Sequence, residues 1–189
     1  MTKSIAIFLF LFFLTACSSV KNAGVVYHQS FNFSAVKKYS LYERNSSFTD
    51  SQSLLDAHRN AIEIAIEMVM AKHSFNYTNL AQADVIVTYH LLNGNRQEYT
   101  NYNQVIRFCS YCLRASAWQT ADKYKEPRLG SLILDIVDPK KQRSVWRSVY
   151  PLAIKDEDNS ATSNEKIQHA ITTMLAQYPH SQANQKQTD

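Results

Sequence analysis

The chain has 189 residues, 45% of them apolar and 19% charged, with a formal net charge of +4. That suffices for one domain with a genuine core, is too little for two comfortable ones, and excludes disorder throughout. Only 3 Gly and 4 Pro leave no glycine-rich phosphate cradle and no collagen-like or low-complexity body, while 11 Tyr and 9 Phe favour strands.

Lys3 followed by the unbroken apolar run Ile5–Leu14 reads as a signal peptide over residues 1–16. A run of ten cannot span a bilayer, which takes about 20 residues. The stretch Leu14-Thr15-Ala16-Cys17 resembles the bacterial lipobox. That resemblance implies cleavage before Cys17 and its lipidation, with residues 17–24 as a lipidated tether. More than one acyl chain makes such an anchor firm, where a single chain binds only marginally. Ser18 and Ser19 rather than Asp follow the cysteine, which by analogy with lipoprotein sorting implies the outer membrane, with the domain facing the periplasm. The globular domain is expected over residues 25–178 and a polar tail over 179–189.

Strand signals occur near Val25–Asn32 and Lys38–Tyr42. Gln52–Lys72 then shows helical spacing: Leu55, Ile62, Ile66 and Val69 share a face, Leu54, Ala61, Ala65 and Met68 lie beside it, and Arg59, Glu63 and Glu67 occupy the other. Arg59 and Glu63, four apart, form a solvated-face pair. After an ambiguous stretch at Phe75–Thr78, strands are predicted at Ala83–His90 and Gln97–Phe108. Ser131–Val137 and Ser144–Leu152 should form an antiparallel hairpin around Asp138-Pro139, where Pro presets φ and Asp bonds the backbone. In Val145–Tyr150 alternation leaves the core face open, but the size of Trp146 favours its being covered. A last helix is predicted over Ser163–Tyr178, with Thr162 and Glu165 as a capping box and Pro179 as its stop. The fold class that follows is α+β: a mostly antiparallel mixed sheet with two helices packed on one face.

With Cys17 lipidated, Cys109 and Cys112 remain as one possible pair in an oxidising compartment. At i, i+3 a tight turn brings them within reach of a disulfide that shapes its turn and adds about 2 kcal/mol on the chain-entropy model. The alternatives are a periplasmic thiol-disulfide activity, free thiols or a metal. A redox pair normally sits where a strand feeds a helix N-terminus, and a zinc site wants two further ligands nearby; the flanking residues supply neither.

The six His, at 28, 58, 73, 90, 169 and 180, include no helical i, i+4 pair, and there is no G-x-S-x-G, P-loop or H-E-x-x-H. No catalytic residue, metal ligand or cofactor is therefore assigned. The segment Asn95–Arg128 carries six basic and three acidic residues with interleaved aromatics, a mixture suited to protein partners, glycan strands or anionic headgroups. Arg107, Tyr111, Arg114, Trp118 and Tyr124 are its partner-binding candidates. Export argues against nucleic acid.

The lipobox at Cys17, Phe33–Tyr39, the Ala61-Ile62-Glu63 helix ending in Lys72-His73-Ser74-Phe75, Ala83–Tyr89, and Gly130–Asp138 followed by Val145-Trp146-Arg147 together resemble a family of bacterial envelope lipoproteins known as domain of unknown function 4136. The family commonly has Gly where Ser74 stands and Trp near Tyr42. The resemblance implies fold and envelope location and carries over no catalytic residue. A non-enzymatic protein follows, anchored to the membrane through Cys17 and binding another envelope protein or a cell-wall component.

Overall fold

The computed structural model describes residues 23–44, 52–114, 118–120 and 124–180. The signal segment, Cys17, the tether as far as 22 and the tail from 181 lie outside them. Seven strands form one sheet: β1 (Gly24–His28), β2 (Lys38–Leu41), β3 (Asn76–Tyr77), β4 (Val85–Leu91), β5 (Trp118–Thr120), β6 (Ser131–Asp138) and β7 (Arg143–Pro151), in the order β3-β2-β4-β6-β7-β1-β5. β2 runs parallel to β3 and β4, and all other pairings are antiparallel. Among the described residues three α-helices accompany the sheet: α1 (Asp56–Lys72), α2 (Arg96–Val105) and α3 (Ser160–Leu175).

The β6–β7 hairpin forms as expected. Asp138 Oδ1 accepts from the Lys140 and Lys141 amides at 2.9 and 3.3 Å, which sets the turn. Along β6 the side chains alternate cleanly. Leu132, Leu134 and Ile136 pack with Ile62, Ile66 and Val69 of α1 and Ile167, Ile171 and Met174 of α3, whereas Ile133 and Val137 face the opposite side. β7 departs from alternation at one point. Ile136 is opposite Trp146 and Val137 opposite Ser144, so Val145 is an extra, bulged residue. Both Val145 and Trp146 thereby reach the α1–α3 core, and Trp146 is fully buried.

Several expectations require correction. Gln97–Phe108 is not a strand: it contains α2, whose start is capped by Asn95 Oδ1 accepting from the Glu98 amide at 3.1 Å. Tyr102 and Ile106, four apart, bury one face of this turn-rich segment against the second side of the sheet. The sheet is thus covered on both faces, by α1 and α3 on one and by α2 on the other, rather than by two helices alone. α3 begins three residues earlier than predicted because Asn159, not Thr162, is its cap, accepting from the Thr162 amide at 2.9 Å. α1 starts at Asp56 rather than Gln52, with Arg59 buried and both Met68 and the preceding Leu55 exposed. The helix packs with its Ile62–Ile66 side inward, which turns Arg59 toward β4 and Met68 away.

α1 ends in a Schellman motif: the Phe75 amide bonds the Met70 carbonyl at 3.0 Å, the Ser74 amide bonds Ala71 at 3.0 Å, and Ser74 is left-handed with φ of 64°. That conformation favours glycine over a residue with a Cβ. Beyond it, β3 is the short strand that occupies the ambiguous Phe75–Thr78 stretch.

Candidate functional site

On the α2 side of the sheet, Asp135 of β6 and Arg147 of β7 lie directly opposite one another, and both side chains are wholly buried. Arg147 donates from Nε and Nη2 to the carboxylate at 2.9–3.1 Å. The carboxylate also accepts from the Tyr102 hydroxyl at 2.8 Å and the Ser144 hydroxyl at 2.7 Å, while Arg147 Nη2 reaches Asn103 Oδ1 at 2.8 Å. Phe108 covers the guanidinium, its ring centroid 3.5 Å from Cζ. α2 ends in a second Schellman motif, with Phe108 N–H on the Asn103 carbonyl at 2.9 Å and Arg107 left-handed at φ 48°, and this turns Phe108 inward and Arg107 outward. Burial opposes the charge on Arg147, but the Asp135 carboxylate outweighs it and holds the guanidinium pKa above its ordinary value. Burial, followed by the Asp135 charge, drives the Tyr102 phenol well above its usual range.

His90 of β4 stacks on Tyr102 at 4.9 Å between centroids and on Tyr99 at 6.0 Å. It is 1% exposed, and burial followed by the charge of Arg147 lowers its pKa from 6.5 to about 4. The neutral ring is what the fold accepts. As pH falls from 6.5 toward 4 the unfolded chain takes up a proton at this position that the folded chain refuses, so stability present above pH 6.5 is lost over that window. The loss is expected to be on the order of 3 kcal/mol. Urea melts at pH 7 and pH 4 should show a markedly smaller drop for His90→Phe than for the unaltered chain. Equal drops would place the acid sensitivity elsewhere.

The residues singled out in Asn95–Arg128 do not form a single exposed patch. Arg107 is exposed, with Nη2 3.5 Å from Gln142 Oε1. Trp118 and Tyr124 pack partly buried against the second core, Trp118 edge-on to His28 and Phe108 at 5.6 and 5.7 Å and Tyr124 beside Arg147. The side chains of Tyr111 and Arg114 lie outside what is described. Cys109 and Cys112 stand at disulfide distance, with Cα atoms 5.2 Å apart, where a short helical turn (Tyr111–Arg114) follows α2. Among the described residues no three His, Cys, Asp or Glu side chains converge on a metal position, and no helix is long and apolar enough to cross a membrane.

The β2 edge of the sheet, at the other end of the strand order from β5, carries an open trough of about 360 Å³ that sequence reasoning missed. Ser40 and Leu41 lie at its base. Glu63 and Glu67 of α1 form one side and Tyr77, Asn79 and Leu80 the other, with Glu43 and Arg44 also lining it. Glu63 is not on a solvated face: it accepts from the Tyr89 hydroxyl at 2.6 Å and from Arg44 Nε at 2.8 Å. Burial, then the charge of Glu67, then Tyr77, push the nearby Tyr39 phenol up to about 12. The sequence signal available for this trough was the i, i+4 pair Glu63 and Glu67. Its partners Arg44 and Tyr89 come from distant elements.

The family described as domain of unknown function DUF4136 matches residues 24–180. The chain belongs to the DUF4136 family. A crystal structure of a DUF4136 family protein from Bacteroides thetaiotaomicron is similar over 84% of this chain and 95% of that one, with 15% sequence identity and a TM-score of 0.53. At that identity the likeness shows a shared fold. A PDZ domain protein from Parabacteroides distasonis aligns at 14% identity over 85% of this chain and 37% of its own, with a TM-score of 0.45. The PelC dodecamer from Paraburkholderia phytofirmans aligns at 11% identity over 82% and 98%, with a TM-score of 0.38. At TM-scores below 0.5 these two establish no common fold. No curated protein sequence matches the chain. The Val145-Trp146-Arg147 stretch of this DUF4136 domain has a clear division of labour: Val145 and Trp146 fill the α1–α3 core and Arg147 anchors the α2 side.

Proposed function

We propose that this DUF4136 protein is a lipid-anchored envelope lipoprotein, held to the outer membrane through Cys17. Its periplasmic domain acts by binding another envelope protein or a cell-wall component rather than by catalysis. The observation that carries this reading is the sealed Asp135–Arg147–Tyr102 network. Its charged and phenolic groups bond to one another out of reach of solvent, so their work is to hold α2 and Phe108 in place. The same turn that carries Phe108 inward sets Arg107 at the surface. The Leu14–Cys17 motif supports the anchor. The test has two arms. Mass spectrometry of the membrane-extracted N-terminal peptide should show acyl mass on Cys17, and an unmodified cysteine or a cut elsewhere refutes the anchor. Crosslinking in intact envelopes should capture a specific partner, and the absence of any specific adduct refutes the binding role.

A further inference from the structure

The β2 edge is only half covered. β3 pairs with Lys38 and Tyr39, and the last bond between them runs from the Thr78 amide to the Tyr39 carbonyl at 2.9 Å. The chain then turns away into a single helical turn at Leu80–Gln82, begun by the Asn79 side chain. Alternate residues of a strand direct their backbone groups to the same side. Leu41, two beyond Tyr39, therefore turns its backbone toward the space that β3 leaves empty, where the 360 Å³ trough lies; its carbonyl accepts from the Ser40 hydroxyl at 3.1 Å, so the amide N–H is the group it offers. Its charge is distinctive on a chain of net charge +4: Arg44 balances Glu63, and Glu43 and Glu67 make the lining net negative. Tyr77 stands on the rim, 60% exposed.

We propose that this trough docks an extended basic segment of another envelope protein. The segment adds as a short strand alongside Leu41, on the line of β3, and sets a Lys or Arg side chain against the Glu67 carboxylate and the Tyr77 ring. Strand addition supplies main-chain hydrogen bonds, and a side-chain pocket selects the residue that enters it. A tyrosine face beside a carboxylate suits a cation. The proposal rests on the binding role above but places the contact at the opposite end of the strand order from β5.

The test is fluorescence anisotropy on the full chain with fluorescein-labelled pentapeptides KVKVK and EVEVE as probes. Saturable binding of KVKVK is expected, at least tenfold tighter than EVEVE. It should weaken at least tenfold with Glu67→Lys, an exposed change that leaves the fold intact by circular dichroism, and be unaffected by Arg107→Glu. Leu41→Pro, which removes the edge N–H, should weaken it as well if that variant folds. Absence of binding, equal or reversed preference between the probes, displacement of KVKVK by self-association of the chain, or indifference to Glu67→Lys overturns the docking site. Crosslinking that survives Glu67→Lys but fails with Arg107→Glu also overturns it, and leaves the broader binding role standing.

Discussion

Replacing Asp135 with alanine should destabilise the domain by about 3 to 5 kcal/mol. The substitution strips the Arg147 guanidinium of its counter-charge while leaving it wholly buried, and takes the acceptor from the Tyr102 and Ser144 hydroxyls in the same step. The cost is therefore that of orphaned groups more than that of a lost attraction. A double variant, Asp135→Leu with Arg147→Met, removes both charges at similar volume and should recover most of the loss, since a buried pair replaced by packed apolar groups is often neutral or better. Urea melts of the two variants decide the matter. A single-variant cost below about 1 kcal/mol, the range of an uncommitted surface position, would show that the pair does not hold the fold.

Trp146→Ala is expected to cost about 3 to 5 kcal/mol, because the indole is fully buried among side chains of both α1 and α3 and no single neighbour can fill the void. Trp146→Phe should cost far less, about 1 to 2 kcal/mol. It keeps an aromatic ring and removes an indole N–H that is buried without a hydrogen-bond partner. Denaturant midpoints for the pair give the contrast. Near-equal losses would mean that the site tolerates collapse, or that the N–H is bonded in solution.

The hairpin, α1 and α3 were legible because their signals are local: alternation around Asp138-Pro139 in one case, recurrent Ile and Val at helical spacing in the others. α2 was hidden by composition. Its Tyr, Asn and Gln residues read as strand and loop, and the decisive marks, the Asn95–Glu98 cap and the Tyr102–Ile106 spacing, are few. The bulge at Val145 leaves no trace in the sequence, since it exists only in the register between β6 and β7. The Cys109–Cys112 proximity was readable from spacing alone. Asp135 with Arg147, and Glu63 with Arg44 and Tyr89, are meetings of distant residues, and they become visible only when strand order brings them opposite one another.

The way the chain enters β1 has a mechanical consequence. Ala23 is fully buried, its carbonyl accepts from Gln177 Nε2 at 2.9 Å just beyond α3, and the chain then enters β1 between β7 and β5. A load transmitted through the residues that precede Ala23 pulls along a strand bonded on both sides. It meets those bonds together, in shear, instead of peeling them one at a time from a free edge. Tension applied at this end of the domain thus falls on a strand paired on both sides.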